Sequence, residues 1–229
     1  MARIHKSAPG EYMHIFNRGN NKQSIFTNEH DRRRFLFGVL FFQAPVEISN
    51  ISRFIAAVQP SGLHIGLHIH IADEVIKKRT VEVVSFTLMD NHFHLIVHEL
   101  KKDGIPLYLS RIQNSYTKYV NTKYERTGHL FQGPYKSIRV ASDEQLLYLS
   151  AYIHRNSREL KGWKGREHIY PWSSYQDYIG ENRWGKLLVP DIVLDHFENK
   201  KEYRETVEES GAKEMEKDLS MTEIEGWLR

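Results

Sequence analysis

The chain has 229 residues, 40% hydrophobic and 27% charged, with no cysteine. That length fits one domain of roughly 150 residues with a substantial appendage, and the composition is that of a chain with a real core, neither disordered nor fibrous. The missing cysteine excludes disulfide scaffolds, zinc ribbons and thiol nucleophiles. No run approaches the roughly 18 apolar residues of a membrane span. Met1 to Glu11 lacks the apolar stretch of a secretory signal, so a cytoplasmic protein without membrane attachment is expected. The net charge of +3 is small, but it is unevenly spread. Lys101 to Arg139 holds eight basic and two acidic residues, whereas Glu198 to Arg229 holds ten acidic and six basic. A polyanion would meet the middle of such a chain, although a solvated helix face gives the same pattern.

Tyr12 to Arg18 reads as a short strand ending in a Gly19-Asn20-Asn21 turn. Thr27 or Asn28 can cap a helix with Glu29 and Asp31 in its first turn and Phe35 to Phe42 as its body. Gln43 to Lys78, broken by Pro45, Pro60, Ser61 and Gly62, reads as an inserted excursion. Thr80 to Leu88 is rich in Val, Phe and Thr and predicts a strand, with His92 to His98 as its hairpin partner across Met89, Asp90 and Asn91. Gly104 to Tyr124 predicts a helix with Leu109, Ile112, Tyr116, Tyr119 and Val120 on its apolar side. Gly128 to Val140, interrupted by Gly133 and Pro134, predicts a loop leading to an edge strand. Ser142 then caps a new helix to about Ser157, with Gln145 completing a capping box. Beyond Pro171 come a Trp/Tyr-rich segment and a charged carboxy-terminal helix or tail. Hairpin turns among interleaved strands and helices favour an α+β sandwich over a doubly wound sheet.

Three groups of residues can carry chemistry. On a strand, His92 and His94 project from one face while Phe93, Leu95 and Val97 face the other. Paired imidazoles suit a divalent metal, and they are equally at home as ordinary strand histidines. His68-Ile69-His70, with His64 nearby, repeats the pattern. Tyr152 and Asn156 lie four residues apart on one helical face. A phenol can attack and an amide oxygen can ligate a hard cation, but on spacing alone Tyr152 is a core residue beside Leu149 and Ile153. Tyr116, Lys118, Tyr119, Lys123, Tyr124 and Arg126 interleave aromatic and cationic groups. That pattern suits unpaired bases and phosphates, and equally a core stripe flanked by solvated lysines.

In order along the chain, His14-Ile15-Phe16-Asn17-Arg18-Gly19, Leu88-Met89-Asp90-Asn91-His92-Phe93-His94-Leu95, Gly128-His129-Leu130-Phe131-Gln132-Gly133, Tyr152-Ile153-His154-Arg155-Asn156 and Trp172-Ser173-Ser174-Tyr175 form a set. The set resembles the HUH-class single-tyrosine transposases, especially those that accompany repetitive extragenic palindromes. The resemblance spans about Tyr12 to Tyr178. It implies a ferredoxin-like antiparallel sheet flanked by helices over residues 1–180, with an insertion at about 43–78 and a charged helical extension over 181–229. It also implies metal-dependent cleavage and transfer of single-stranded or hairpin DNA through a 5′-phosphotyrosine. Carried over by position, Tyr152 is the nucleophile, and His92, His94 and Asn156 hold a divalent metal, Mg2+ or Mn2+. Tyr116, Lys118, Lys123, Arg126, Gln132 and Lys136 are the expected DNA contacts. Asp90, Pro134 and Ser157 depart from the usual pattern, which has proline, a basic residue and proline there; Asp90 reads as a turn residue rather than an accessory ligand. Some relatives are homodimers that exchange the tyrosine helix and others are monomers, and the sequence does not choose. The competing reading is a non-catalytic protein that binds palindromic or hairpin DNA.

Overall fold

The computed structural model describes residues 7–63 and 69–210. Strand β1 (Tyr12–Arg18) leads through a 3-10 turn to helix α1 (Glu29–Phe41), capped by the Asn28 side chain, which accepts from Asp31 N. The excursion then supplies α2 (Ile51–Ile55), the short pair β2 (Val58–Gln59) and β3 (Gly62–Leu63), and α3 (Ile69–Lys78). After it come β4 (Val81–Leu88), β5 (His92–Glu99), α4 (Gly104–Lys123), β6 (Lys136–Val140) and α5 (Asp143–Arg155). The chain continues through α6 (Tyr175–Ile179), α7 (Asp191–Leu194) and α8 (Lys200–Glu209).

The main sheet is antiparallel, with order β4-β5-β1-β6. With α1 between β1 and β4, and α4 between β5 and β6, the order is that of a ferredoxin-like α+β fold, as expected. Strand alternation sorts the side chains into two layers. Phe93, Leu95 and Val97 of β5 join Met13, Ile15, Phe86 and Leu88 in the larger core under α1 and α4. Phe16, Val84 and Ile96 point the other way and are covered by Leu149, Tyr152 and Ile153 of α5 and by Tyr203 and Val207 of α8.

The expected boundary at 180 is not a structural one. Trp184, Leu187 and Leu188 lie in the larger core, and Tyr203 and Val207 in the smaller. Burial of these apolar side chains makes residues 181–209 part of the fold rather than a solvated appendage. The tail from 211 onward lies outside the described residues, as do His64 and His68. His70 stands on α3, so at that residue the second His-apolar-His pattern is helical and not a strand. Among the described residues no helix is long and apolar enough to cross a membrane.

Arg183 fastens the late segment to the excursion. Its guanidinium donates to the Asp177 carboxylate (2.8 Å) and to the carbonyls of Pro60 (2.8 Å) and Ser173 (2.8 Å). Gly62, at φ +124°, admits the close approach, since a Cβ there would sit 3.0 Å from Arg183 O. Asp177 is fully buried and also accepts from Trp184 Nε1 (3.1 Å). Removing its carboxylate strands a nearly buried guanidinium, so Asp177→Ala is expected to lower the unfolding free energy by about 3–5 kcal/mol. Urea denaturation checks this; a loss below about 1 kcal/mol would mean that this segment does not hold the fold.

Candidate active site on the α5 face of the sheet

The alternation that buries Phe93, Leu95 and Val97 under α1 and α4 leaves His92, His94 and Ile96 on the α5 face. His92 is half-buried at the start of β5 and His94 is fully buried. Their ring centroids are 5.1 Å apart at an interplanar angle of 87°. His92 Nδ1 is 2.7 Å from Asn91 Oδ1, and Asn91 Nδ2 donates to Lys22 O at 3.1 Å. His94 Nδ1 is 3.0 Å from His14 Nε2. In both rings Nδ1 is the nitrogen so engaged, which makes Nε2 the candidate for ligating a metal.

Tyr152 reaches the same place from α5. Ser142 caps that helix by accepting from Gln145 N, while Gln145 Oε1 accepts from Ala141 N. Leu146, Leu149 and Ile153 pack its inner side onto the sheet and carry Tyr152 with them. The Tyr152 ring meets His94 edge-on, with centroids 5.6 Å apart at 89°, and lies 6.3 Å from His14. Asn156 follows one turn later at the helix terminus, where its Nδ2 donates to Tyr152 O at 2.8 Å. The two histidines and the phenol are therefore brought together, and Asn156 is held on the tyrosine's own helix.

Paired imidazoles are donors of a kind that divalent cations accept. Two imidazoles and an amide oxygen suit manganese better than magnesium, which prefers oxygen alone. Thr87 stands directly across from His94 in the β4–β5 pairing, and its buried hydroxyl has no hydrogen-bond partner. An orphaned polar atom beside the imidazoles is what a hydrated ion would satisfy. Among the described residues no group of three or more His, Asp or Glu is arranged to hold a metal. Asp90 is not part of the site: its carboxylate pairs with Arg32 at 2.5 Å, and its carbonyl accepts from Ile25 and Phe26, as a turn residue does.

The expected DNA contacts separate into two groups. Tyr116 is a core residue, 1% exposed, with its hydroxyl donating to Ile25 O at 2.6 Å; no base can stack on it, and that expectation is corrected. Lys118 is exposed on α4, the helix that covers the opposite face of the sheet. Lys123 is committed to Asp31 at 2.6 Å. Burial raises the pKa of Asp31, but hydrogen bonds from Lys123, Tyr124 and Tyr119 outweigh it and leave the value lowered. Arg126 donates to Gln23 at 3.0 Å, and Gln132 accepts from Arg18, the residue paired with His92. Lys136 is the best placed. It lies in one row with Phe16, His94 and Thr87, and residues directly opposite in a ladder share a face. Two strand spacings put its backbone about 10 Å from that of His94.

Sequence reasoning missed a basic cleft of about 430 Å³ at the carboxy-terminal end of α5. Arg155, Arg158, Lys164 and Arg204 line it, against Glu167 and Glu208. The signal was present: residues 155–166 contain five basic side chains and one acidic.

Comparison with known proteins bears on this arrangement. The profile of the family described as "Transposase IS200 like" matches residues 65–156, the stretch that holds His92, His94, Tyr152 and Asn156. A solved structure described as "Structure of the REP associates tyrosine transposase bound to a REP hairpin" aligns with a TM-score of 0.52 at 12% identity, covering 84% of this chain and 92% of that one. No curated protein matches. The family match covers less than half of the chain, and at 12% identity the structural likeness is one of fold.

The tyrosine helix is anchored from behind by His154, which is fully buried. Its Nδ1 is 2.6 Å from the Tyr203 hydroxyl and its Nε2 is 2.8 Å from Ser174 Oγ, while Tyr203 donates to Ser150 at 3.2 Å. Burial lowers the His154 pKa to about 3, far below its ordinary value of 6.5. The unfolded chain therefore takes up the proton first as pH falls. The stability this residue contributes is complete above about pH 6.5 and is lost as pH drops toward 3, at up to about 1.4 kcal/mol per pH unit. The unfolding free energy of His154→Gln is expected to fall less steeply than wild type between pH 6.5 and 4. Equal slopes in denaturant titrations would contradict this.

Proposed function

We propose that this protein cleaves and rejoins single-stranded or hairpin DNA, with Tyr152 as nucleophile and a divalent cation, Mg2+ or Mn2+, held by His92, His94 and Asn156. The observation that carries the proposal is the edge-on contact of Tyr152 with His94 at 5.6 Å, on the face from which His92 also projects. The Tyr152 phenol oxygen attacks the scissile phosphorus, forming a 5′-phosphotyrosine. The bond to the 3′-oxygen breaks; the phenol proton is given up and the departing oxygen takes one. A cation bound at the site would supply neutralisation of the charge that develops on the phosphate. The phosphotyrosine conserves the ester bond, so a 3′-hydroxyl can attack it and rejoin the strand with no nucleotide cofactor.

This chain's residues divide the remaining work. Asn91 holds the His92 imidazole by its Nδ1. Lys136, in the row of His94, is placed to meet a phosphate on the nucleophile's face. The cleft lined by Arg155, Arg158 and Lys164 offers a path for the strand at the end of the tyrosine helix. Tyr152 itself is only 2% exposed, so the scissile phosphate reaches it by displacing groups that now cover it.

With Mn2+ and a hairpin oligonucleotide, the wild-type protein is expected to form a covalent adduct resolved by denaturing electrophoresis. Tyr152→Phe is expected to form none, and His92→Ala or His94→Ala to slow it about 100-fold or more, the scale of losing one charge-stabilising group. An adduct from Tyr152→Phe would falsify the choice of nucleophile. Salt-sensitive hairpin binding without any adduct in the wild type would favour the non-catalytic binder instead. The double variant Arg158→Glu, Lys164→Glu is expected to weaken binding and to reduce the slope of log affinity against log salt by about 1–2. Lys118→Glu is expected to change the slope little. The opposite ranking would place the DNA on the α4 side.

A further inference from the structure

Strand transfer by Tyr152 leaves one buried group of the site without a chemical role. His14 stands on β1, fully buried, two residues before Phe16, which pairs with His94. Its ring stacks on that of His94, with centroids 5.2 Å apart and planes 18° off parallel, and its Nε2 is 3.0 Å from His94 Nδ1. Phe16 packs against both imidazoles, at 5.2 Å from His14 and 5.8 Å from His94. Both rings are thus clamped in one relative orientation.

We propose that His14 is a positioning residue for the metal ligand His94: by accepting the Nδ1–H of His94, it holds that ring with its Nε2 lone pair available to a cation. The proposal rests on the reading of His94 as a ligand. An imidazole ligates only through a nitrogen that carries no proton, so the proton on the other nitrogen has to be placed somewhere. The bond between the two rings can run either way. Donation from His14 Nε2 would put the proton of His94 on its own Nε2 and block ligation. Donation from His94 Nδ1 frees Nε2, and it requires a neutral His14 with an accepting Nε2. Solvent cannot substitute as acceptor, because neither ring is exposed.

A purely space-filling histidine would make none of this matter, and a phenyl ring of similar shape would replace it. The test is Mn2+ titration of the DNA-free full chain, followed by electron paramagnetic resonance, with thermal unfolding of each metal-free variant alongside. His14→Phe keeps the packing and removes the acceptor. It is expected to weaken Mn2+ binding by about 10–100-fold while leaving the metal-free unfolding midpoint close to wild type. His14→Gln, whose amide oxygen can take the place of Nε2, is expected to bind within about threefold of wild type. Loss of binding in His94→Ala together with unchanged binding in His14→Phe would overturn this proposal alone. Unchanged binding in His94→Ala would overturn the ligand reading and the proposal together. If His14→Phe does not fold, the 15N spectrum of Mg2+-loaded wild type decides: a proton on His94 Nδ1 supports the proposal, and a proton on Nε2 overturns it.

Discussion

The site depends on which face of the sheet α5 covers. β5 has one apolar set, Phe93, Leu95 and Val97, and it is claimed by the larger core beneath α1 and α4. Strand geometry then leaves His92 and His94 no choice but the other face. The tyrosine helix lands there because its inner residues Leu146, Leu149 and Ile153 are buried against Phe16, Val84 and Ile96. A register slip of one residue in β5 would drive both imidazoles into the larger core and expose its phenylalanine. Packing of the apolar residues thus brings the phenol and the imidazoles together, and no contact between the polar groups has to do it.

Much of this was legible in the sequence because the signals are local. The period-two pattern from His92 to His98, the caps at Asn28 and Ser142 and the hairpin turn at Asp90 each depend on residues within a few positions of one another, and the structure bears them out. Tyr116 shows where such reading ends. A helix that alternates aromatic and cationic residues looks the same whether its aromatics face bases or a neighbouring helix. Here Phe26 and Phe35 take up the Tyr116 ring, and Asp31 absorbs Lys123, Tyr119 and Tyr124. The buried carboxylate of Asp31 lies about 90 positions earlier in the chain, and no local pattern announces it.

The same limit applies to residues 181–209 and to His14. Arg183 and Trp184 looked like the start of a charged extension, but their partners Pro60 and Asp177 are made neighbours only by the fold. His14 was visible as part of a motif, whereas its partner His94 was not, since the β1–β5 pairing spans 80 positions. Electrostatics is redistributed in the same way. The basic middle of the sequence spreads over both faces of the sheet, and some of it is neutralised within the fold. Lys136, Arg155, Arg158 and Lys164 put cations on the α5 side of the sheet, where Arg158 pairs with Glu167 and Arg204 with Glu208.

The central claim, that the α5 phenol is the group that joins DNA, is tested most directly by locating the bond. After reaction with a hairpin oligonucleotide and Mn2+, nuclease and trypsin digestion would release the peptide from Val140 to Arg155, which carries Tyr148 and Tyr152. Fragmentation mass spectrometry distinguishes the two. A nucleotide on the Tyr152 oxygen is what this account requires; a nucleotide on Tyr148, or on any other of the twelve tyrosines, would contradict it.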